Sequence, residues 1–161
     1  MNFTIRDIQK DDNAKLASII RNVLKEFKAN HPGTVYYDES TDNLFQLFQK
    51  PDTIYYVAMI DDEIVGGCGI YTTEGLPENY CELVKMYLLP QARNYGIGRT
   101  LINKCFDFAK AHNFTHIYLE SMPELTKAII MYKKYGFKLI QQRLGNACHF
   151  GCSIKMLKQI D

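Results

Sequence analysis

Apolar positions set the frame of this chain. Leu16, Ile19, Ile20, Val23, Leu24 and Phe27 recur at the spacing of one helix face, behind the cap-type residues Asp11-Asp12-Asn13. Asn30-His31-Pro32-Gly33 stops that helix, and Thr41-Asp42 can cap a second, short one through Leu44, Phe45, Leu47 and Phe48. Residues 3–8 alternate as a short strand. Residues 53–60 and 63–72 are β-rich runs joined by the acidic turn Asp61-Asp62, which predicts an antiparallel hairpin. Gly66-Gly67 inside the second arm predicts a bulge or a close backbone approach. A third run, 81–89, ends at Pro90. The pattern then alternates: a helix over 98–112, a strand over 116–120, a helix over 124–135 closed by Gly136, and strands over 137–142 and 149–157. This order predicts a mixed α/β sheet with helices on its faces. No linker or repeat interrupts it, so residues 1–161 read as one domain.

Composition changes the picture only by exclusion. Apolar residues at 47% and charged residues at 23% are the balance of a globular protein. No apolar run reaches the roughly 18 residues of a membrane span, and the N-terminus lacks a signal-peptide plan, so a cytoplasmic protein is expected. Five cysteines, an odd set without framework spacing, read as reduced thiols. Cys148-His149-x-x-Cys152 offers only three ligands, so two packed thiols are expected there and no metal site. Residues 1–80 hold 7 Lys/Arg against 13 Asp/Glu, and residues 81–161 hold 12 against 5. An anionic ligand would favour the second half and a cationic one the first, unless the halves interleave in space. No basic run or aromatic-basic stripe points to nucleic acid.

The informative segment is Pro90-Gln91-Ala92-Arg93-Asn94-Tyr95-Gly96-Ile97-Gly98-Arg99-Thr100-Leu101. A strand ends, a glycine-bearing turn follows, and an amphipathic helix begins. Free amides at such a helix start make an anion site suited to a pyrophosphate. The P-loop spacing is absent, and a dinucleotide fold would need glycine where Leu101 stands. Arg93, Gly96 and Gly98 instead fill the pattern Gln/Arg-x-x-Gly-x-Gly/Ala, and here the chain resembles the GNAT superfamily of N-acetyltransferases.

Further residues carry the same resemblance, which covers about residues 53–142 well and 1–52 in outline. Glu82 lies eleven residues before Arg93, the offset of the catalytic glutamate in histone-acetylating members. The helix reading Ala128-Ile129-Ile130-Met131-Tyr132-Lys133-Lys134-Tyr135-Gly136-Phe137 carries a tyrosine at the family's spacing before Gly-Phe. The resemblance implies a mostly antiparallel sheet with one splayed parallel pair. It implies acetyl-CoA as co-substrate, with pantetheine against Met86, Tyr87 and Leu88. Its pyrophosphate would lie in the turn Arg93, Asn94, Tyr95, Gly96, Ile97, Gly98 and Arg99. Two departures stand out. Asn94 replaces a usual glycine, and asparagine tolerates a left-handed backbone. Leu125 stands where many relatives have asparagine.

The implied chemistry needs a base and an acid. An amine must be neutral to attack a thioester, and a carboxylate near it can take the proton. Glu82 is that candidate; its competing reading is a strand-edge glutamate facing solvent or a lysine. A phenol can stabilise the departing thiolate, the role implied for Tyr132, whose helical spacing also suits a core residue. A backbone amide near Leu88 would meet the developing oxyanion. Cys81 is expected to pack. Tyr36, Tyr37 and Asp38, residues 74–80, and His149 are candidates for the acceptor side. Two rivals remain: a CoA-binding module without turnover, and another acyl-CoA donor. The amine, small or peptidic, and the state of assembly, monomer or homodimer, stay open.

Overall fold

The computed structural model describes residues 1–146 and 150–161. Its centre is a seven-stranded sheet in the order β1-β2-β3-β4-β5-β7-β6. The strands are β1 (Thr4–Asp7), β2 (Ile54–Ile60), β3 (Glu63–Tyr71), β4 (Tyr80–Leu88), β5 (His116–Ser121), β6 (Lys138–Leu139) and β7 (Ile154–Gln159). Every neighbouring pair is antiparallel except β4 and β5. Four α-helices occur among the described residues: α1 (Asn13–Glu26), α2 (Leu44–Leu47), α3 (Ile97–Ala111) and α4 (Thr126–Lys134).

The predicted periodicities account for the layers. The stripe Leu16, Ile19, Ile20, Val23 and Leu24 buries α1 on one face of the sheet, against Tyr55, Val57 and Tyr87. Leu101, Ile102, Cys105 and Ala109 of α3 bury the other face, with Tyr132 of α4 and Cys81 and Leu83 of β4. Two expectations need correction. The strand expected over 137–142 shrinks to two exposed residues, because only Ile140, whose amide bonds the Lys155 carbonyl at 2.9 Å, prolongs its pairing with β7. The last strand begins at Ile154 rather than 149, and Cys148 and His149 lie outside the described residues.

Between β3 and β4 the register slips between Gly67 and Gly69, leaving one extra residue in β4. That bulge sits at Lys85, which takes a left-handed φ of 53°. Its anchor starts two strands away. A Cβ at Gly67 would fall 2.5 Å from the Tyr55 ring, so glycine here gives the ring room to lie across β3. The Tyr55 hydroxyl then donates to the Lys85 carbonyl at 2.8 Å, in a fully buried position. Tyr55→Phe would leave that carbonyl without its buried donor, so a loss of roughly 1–3 kcal/mol in denaturant unfolding is expected. Unchanged stability would show that the bulge holds itself.

Candidate active site

Strands β4 and β5 stay paired for only three rungs: Tyr80 to His116, Cys81 to Ile117, and Glu82 to Tyr118. Beyond Glu82 they part, and the β4 edge that β5 no longer covers opens into a cleft of about 540 Å³. Met86, Tyr87 and Leu88 form its floor, Glu26 and Phe27 of the α1 end one wall, and Ala128 and Tyr132 of α4 the other.

At the far end of the cleft, sequence dictates the shape of the turn into α3. Asn94 has φ 69° and Gly96 φ 84°, so both left-handed positions carry residues that accept them. Thr100 donates to the Gly96 carbonyl at 3.0 Å, the first bond of the helix, which leaves the amides of Ile97, Gly98 and Arg99 without an intrahelical partner. Ile97 is 1% exposed and anchors the turn in the core. A Cβ on Gly98 would come within 3.1 Å of the Met86 methyl, so helix and β4 approach closely there. Arg99 and Lys127 border the cleft and make no ion pair among the described residues. Open amides, a positive helix end and two cations suit a diphosphate, and the cleft behind suits an extended pantetheine chain.

A second cavity, about 580 Å³, opens on the α1 side of β4. Tyr37, Asp38 and Ser40 come from the loop after α1, Tyr71 and Thr73 from the end of β3 and the loop beyond it, and Phe150 from near the C-terminus. Glu82, Val84 and Lys85 belong to the walls of both cavities. Glu82 is 5% exposed, and Thr73 donates its hydroxyl to Oε1 at 2.5 Å. Tyr132 is 7% exposed; among the described residues its hydroxyl has no protein hydrogen-bond partner, and burial pushes its phenol well above the ordinary value.

The chain is similar to known proteins in sequence and in fold. The profile of the Acetyltransferase (GNAT) family matches residues 19–137. The chain belongs to the GNAT family. The "Uncharacterized N-acetyltransferase YjgM" of Escherichia coli (strain K12) is 33% identical over 157 residues, covering 97% of this chain and 94% of that one. A GNAT-family acetyltransferase from Staphylococcus aureus Mu50 shares the fold with a TM-score of 0.83 at 20% identity, over 99% of this chain and 100% of that one. The PaiA N-acetyltransferase of Thermoplasma acidophilum, solved in complex with coenzyme A, gives 0.75 at 20% identity over 99% and 100%. This GNAT chain is thus an acetyl-CoA-dependent N-acetyltransferase.

The structure brings most of the expected GNAT residues together. Met86, Tyr87, Leu88, Arg93, Asn94, Gly96, Gly98 and Arg99 line the cleft between β4 and β5. Side chains of Tyr95 and Ile97 do not: the first is half exposed and the second faces the core. Arg93, which borders the cleft, is also held by protein groups. Its guanidinium forks onto Glu26 at 2.6 and 2.9 Å and donates to the Leu88 carbonyl at 2.8 Å, over the Phe27 ring. It ties the end of β4 to the end of α1 across the cleft, and its hydrogen bonds hold the Glu26 carboxyl below the usual range. The tie therefore persists at neutral pH and is lost only as pH falls through that lowered value.

Leu125 stands at the N-cap of α4, without a side-chain cap, and lines the cleft. Of the acceptor-side candidates, Tyr37 lines the second cavity, whereas Tyr36 lines neither: its carbonyl accepts from Arg21 at 3.0 Å. Among residues 74–80 none contributes to its wall, and His149 lies outside the described residues. Cys81 is fully buried, and burial followed by the charge of Glu82 pushes its thiol up to about 12, the wrong direction for a nucleophile. No cluster of three or more metal-ligating side chains occurs among the described residues, and none of their helices is long and apolar enough to cross a membrane. Sequence reasoning missed Thr73, Lys85 and Lys127. Nothing local marks them; each joins the site through strand register or helix placement.

Proposed function

We propose that this enzyme acetylates a primary amine directly, in a complex that holds donor and acceptor together, with Glu82 as general base and Tyr132 as the group that stabilises the leaving thiolate. The observation that carries this reading is the position of Glu82 in the wall common to the two cavities, where the parallel strands part. One cavity takes the donor and the other the acceptor, so a proton leaving the amine meets a carboxylate already oriented by Thr73.

Acetyl-CoA supplies the activated acetyl thioester and its thiol. The α3 amides, with Arg99 and Lys127 nearby, hold the diphosphate end. An amide of the β4 edge between Met86 and Leu88, released from pairing with β5, takes the charge that builds on the carbonyl oxygen. The Tyr132 phenol stays protonated because burial disfavours its anion. It therefore donates a hydrogen bond to the departing sulfur rather than surrendering its proton early. The chain acts as a single domain over residues 1–161.

A thiol-release screen of amines tests this reading. Release should require both acetyl-CoA and an amine, and Tyr132→Phe should lower kcat by about 10- to 100-fold while leaving CoA affinity unchanged. Tight CoA binding with no release for any amine would instead mark a binding module. Faster release from another acyl-CoA would change the donor.

A further inference from the structure

Lys85 is the feature that the reaction above leaves without a task. It is 9% exposed, yet it belongs to the walls of both cavities. Strand alternation accounts for its neighbours: Cys81 and Leu83 enter the core under α3, whereas Glu82 and Val84 line the acceptor cavity. On that count Lys85 would follow Leu83 into the apolar core. The bulge, with φ 53° at this residue, instead puts Lys85 in the same cavity wall as Glu82 and Val84.

Burying an ammonium ion is costly unless a partner meets it. Among the described residues no carboxylate comes within ion-pair distance of its nitrogen. Burial lowers the Lys85 pKa, and the charges of Asp38, Glu82 and Cys152 oppose that from further off. A backbone distortion anchored by a buried tyrosine thus delivers a cation into the acceptor site. Carboxylates share that wall at Asp38, Glu39 and Glu82, and Leu47, Tyr71 and Phe150 add apolar surface.

We propose that Lys85 receives a carboxylate of the acceptor, so that the preferred substrate is a small α-amino acid or similar molecule bearing its carboxylate beside the amine. The inference rests on the acyl-transfer reading and names the substrate class of that same site. A diamine would set a second cation against Lys85. A simple amine would bring no carboxylate within ion-pair distance of the Lys85 ammonium. A zwitterion satisfies both signs at once, its amine toward Glu82 and its carboxylate toward Lys85. Glu82 and Lys85 belong to one cavity wall, so a single small acceptor can meet both. The apolar part of the wall favours an apolar or aromatic side chain.

The test compares standard amino acids with their own carboxamides, in wild type and in Lys85→Met. The carboxamide has the less basic amine and offers more neutral nucleophile, so preference for the acid must come from recognition. Wild type should favour the acid by at least about tenfold in kcat/KM, through KM, and that ratio should collapse toward one in Lys85→Met. Methionine fills similar space, carries no charge and adds no backbone strain that lysine lacks, so Tm should not fall.

Calorimetric titration of amino acids into CoA-loaded protein gives a second readout: affinity should drop about tenfold in Lys85→Met. Equal use of acid and amide by wild type, a ratio preserved in Lys85→Met, or better use of diamines each overturns the proposal while leaving acyl transfer intact. Thiol release absent with every amine sinks the acyl-transfer reading instead. In that case the titration still decides whether Lys85 holds a carboxylate.

Discussion

Glu82→Gln is expected to lower kcat/KM for amine acetylation by on the order of 10²–10³-fold near pH 8, with CoA affinity within about twofold of wild type. Glutamine preserves the shape of a side chain that is 5% exposed, and its carbonyl oxygen can still accept the Thr73 hydroxyl. What it removes is the capacity to take a proton. Most acceptor amines are protonated near neutrality, so the deficit should shrink as pH rises through the amine's own pKa and supplies neutral nucleophile. A pH–rate profile reads that directly. Wild-type turnover, or a deficit independent of pH, would remove Glu82 from proton transfer and leave it a structural partner of Thr73.

The second large effect concerns the donor. Gly98→Val should weaken CoA binding by about 30-fold or more and lower kcat/KM at subsaturating acetyl-CoA to match. A Cβ here already presses on the Met86 methyl at 3.1 Å, and the two further methyls of valine would stand against β4 in the cleft mouth. Gly98→Ala should be mild by comparison, because the end of Met86 is flexible and can yield a few tenths of an ångström. The contrast matters: steric exclusion of the ligand predicts a steep dependence on side-chain size with little change in Tm. A general loss of folding would lower Tm in step. Equal CoA affinity in all three proteins would show that the diphosphate lies elsewhere.

Local patterns made much of this architecture legible. The helix stripe at Leu16 to Phe27 has one solution in space, because a face that apolar must be buried. The turn before Leu101 was readable for a similar reason: Asn94 and Gly96 are residues that accept the left-handed backbone the structure shows there. Glu82 could be singled out by its offset from that turn. Its place on the last paired rung of β4 and β5 depends on where two strands separate, which no short pattern records.

Lys85 shows the limit most clearly. Period-two alternation assigns it to the core, and only the register slip, set by Tyr55 thirty residues earlier, puts it in the cavity wall. Arg93 shows another limit. Its residue type suited an anion, but the carboxylate it holds, Glu26, is 67 residues away in sequence and belongs to another element. Residues 137–142 have strand-like composition, yet β6 covers only Lys138–Leu139, because past it only the Ile140 amide continues the pairing with β7.

Grip on the coenzyme's diphosphate by the start of α3 underlies every role assigned here, and one calorimetric comparison tests it most directly. Wild-type protein and Gly98→Val are each titrated with CoA and with pantetheine, which lacks the diphosphate together with the 3′-phosphoadenosine, so that the part of the difference lost in Gly98→Val reports the grip at the start of α3. CoA should bind at least about 100-fold more tightly, with an affinity that falls as salt rises. Equal affinities, or binding of CoA that is indifferent to salt, would contradict the account.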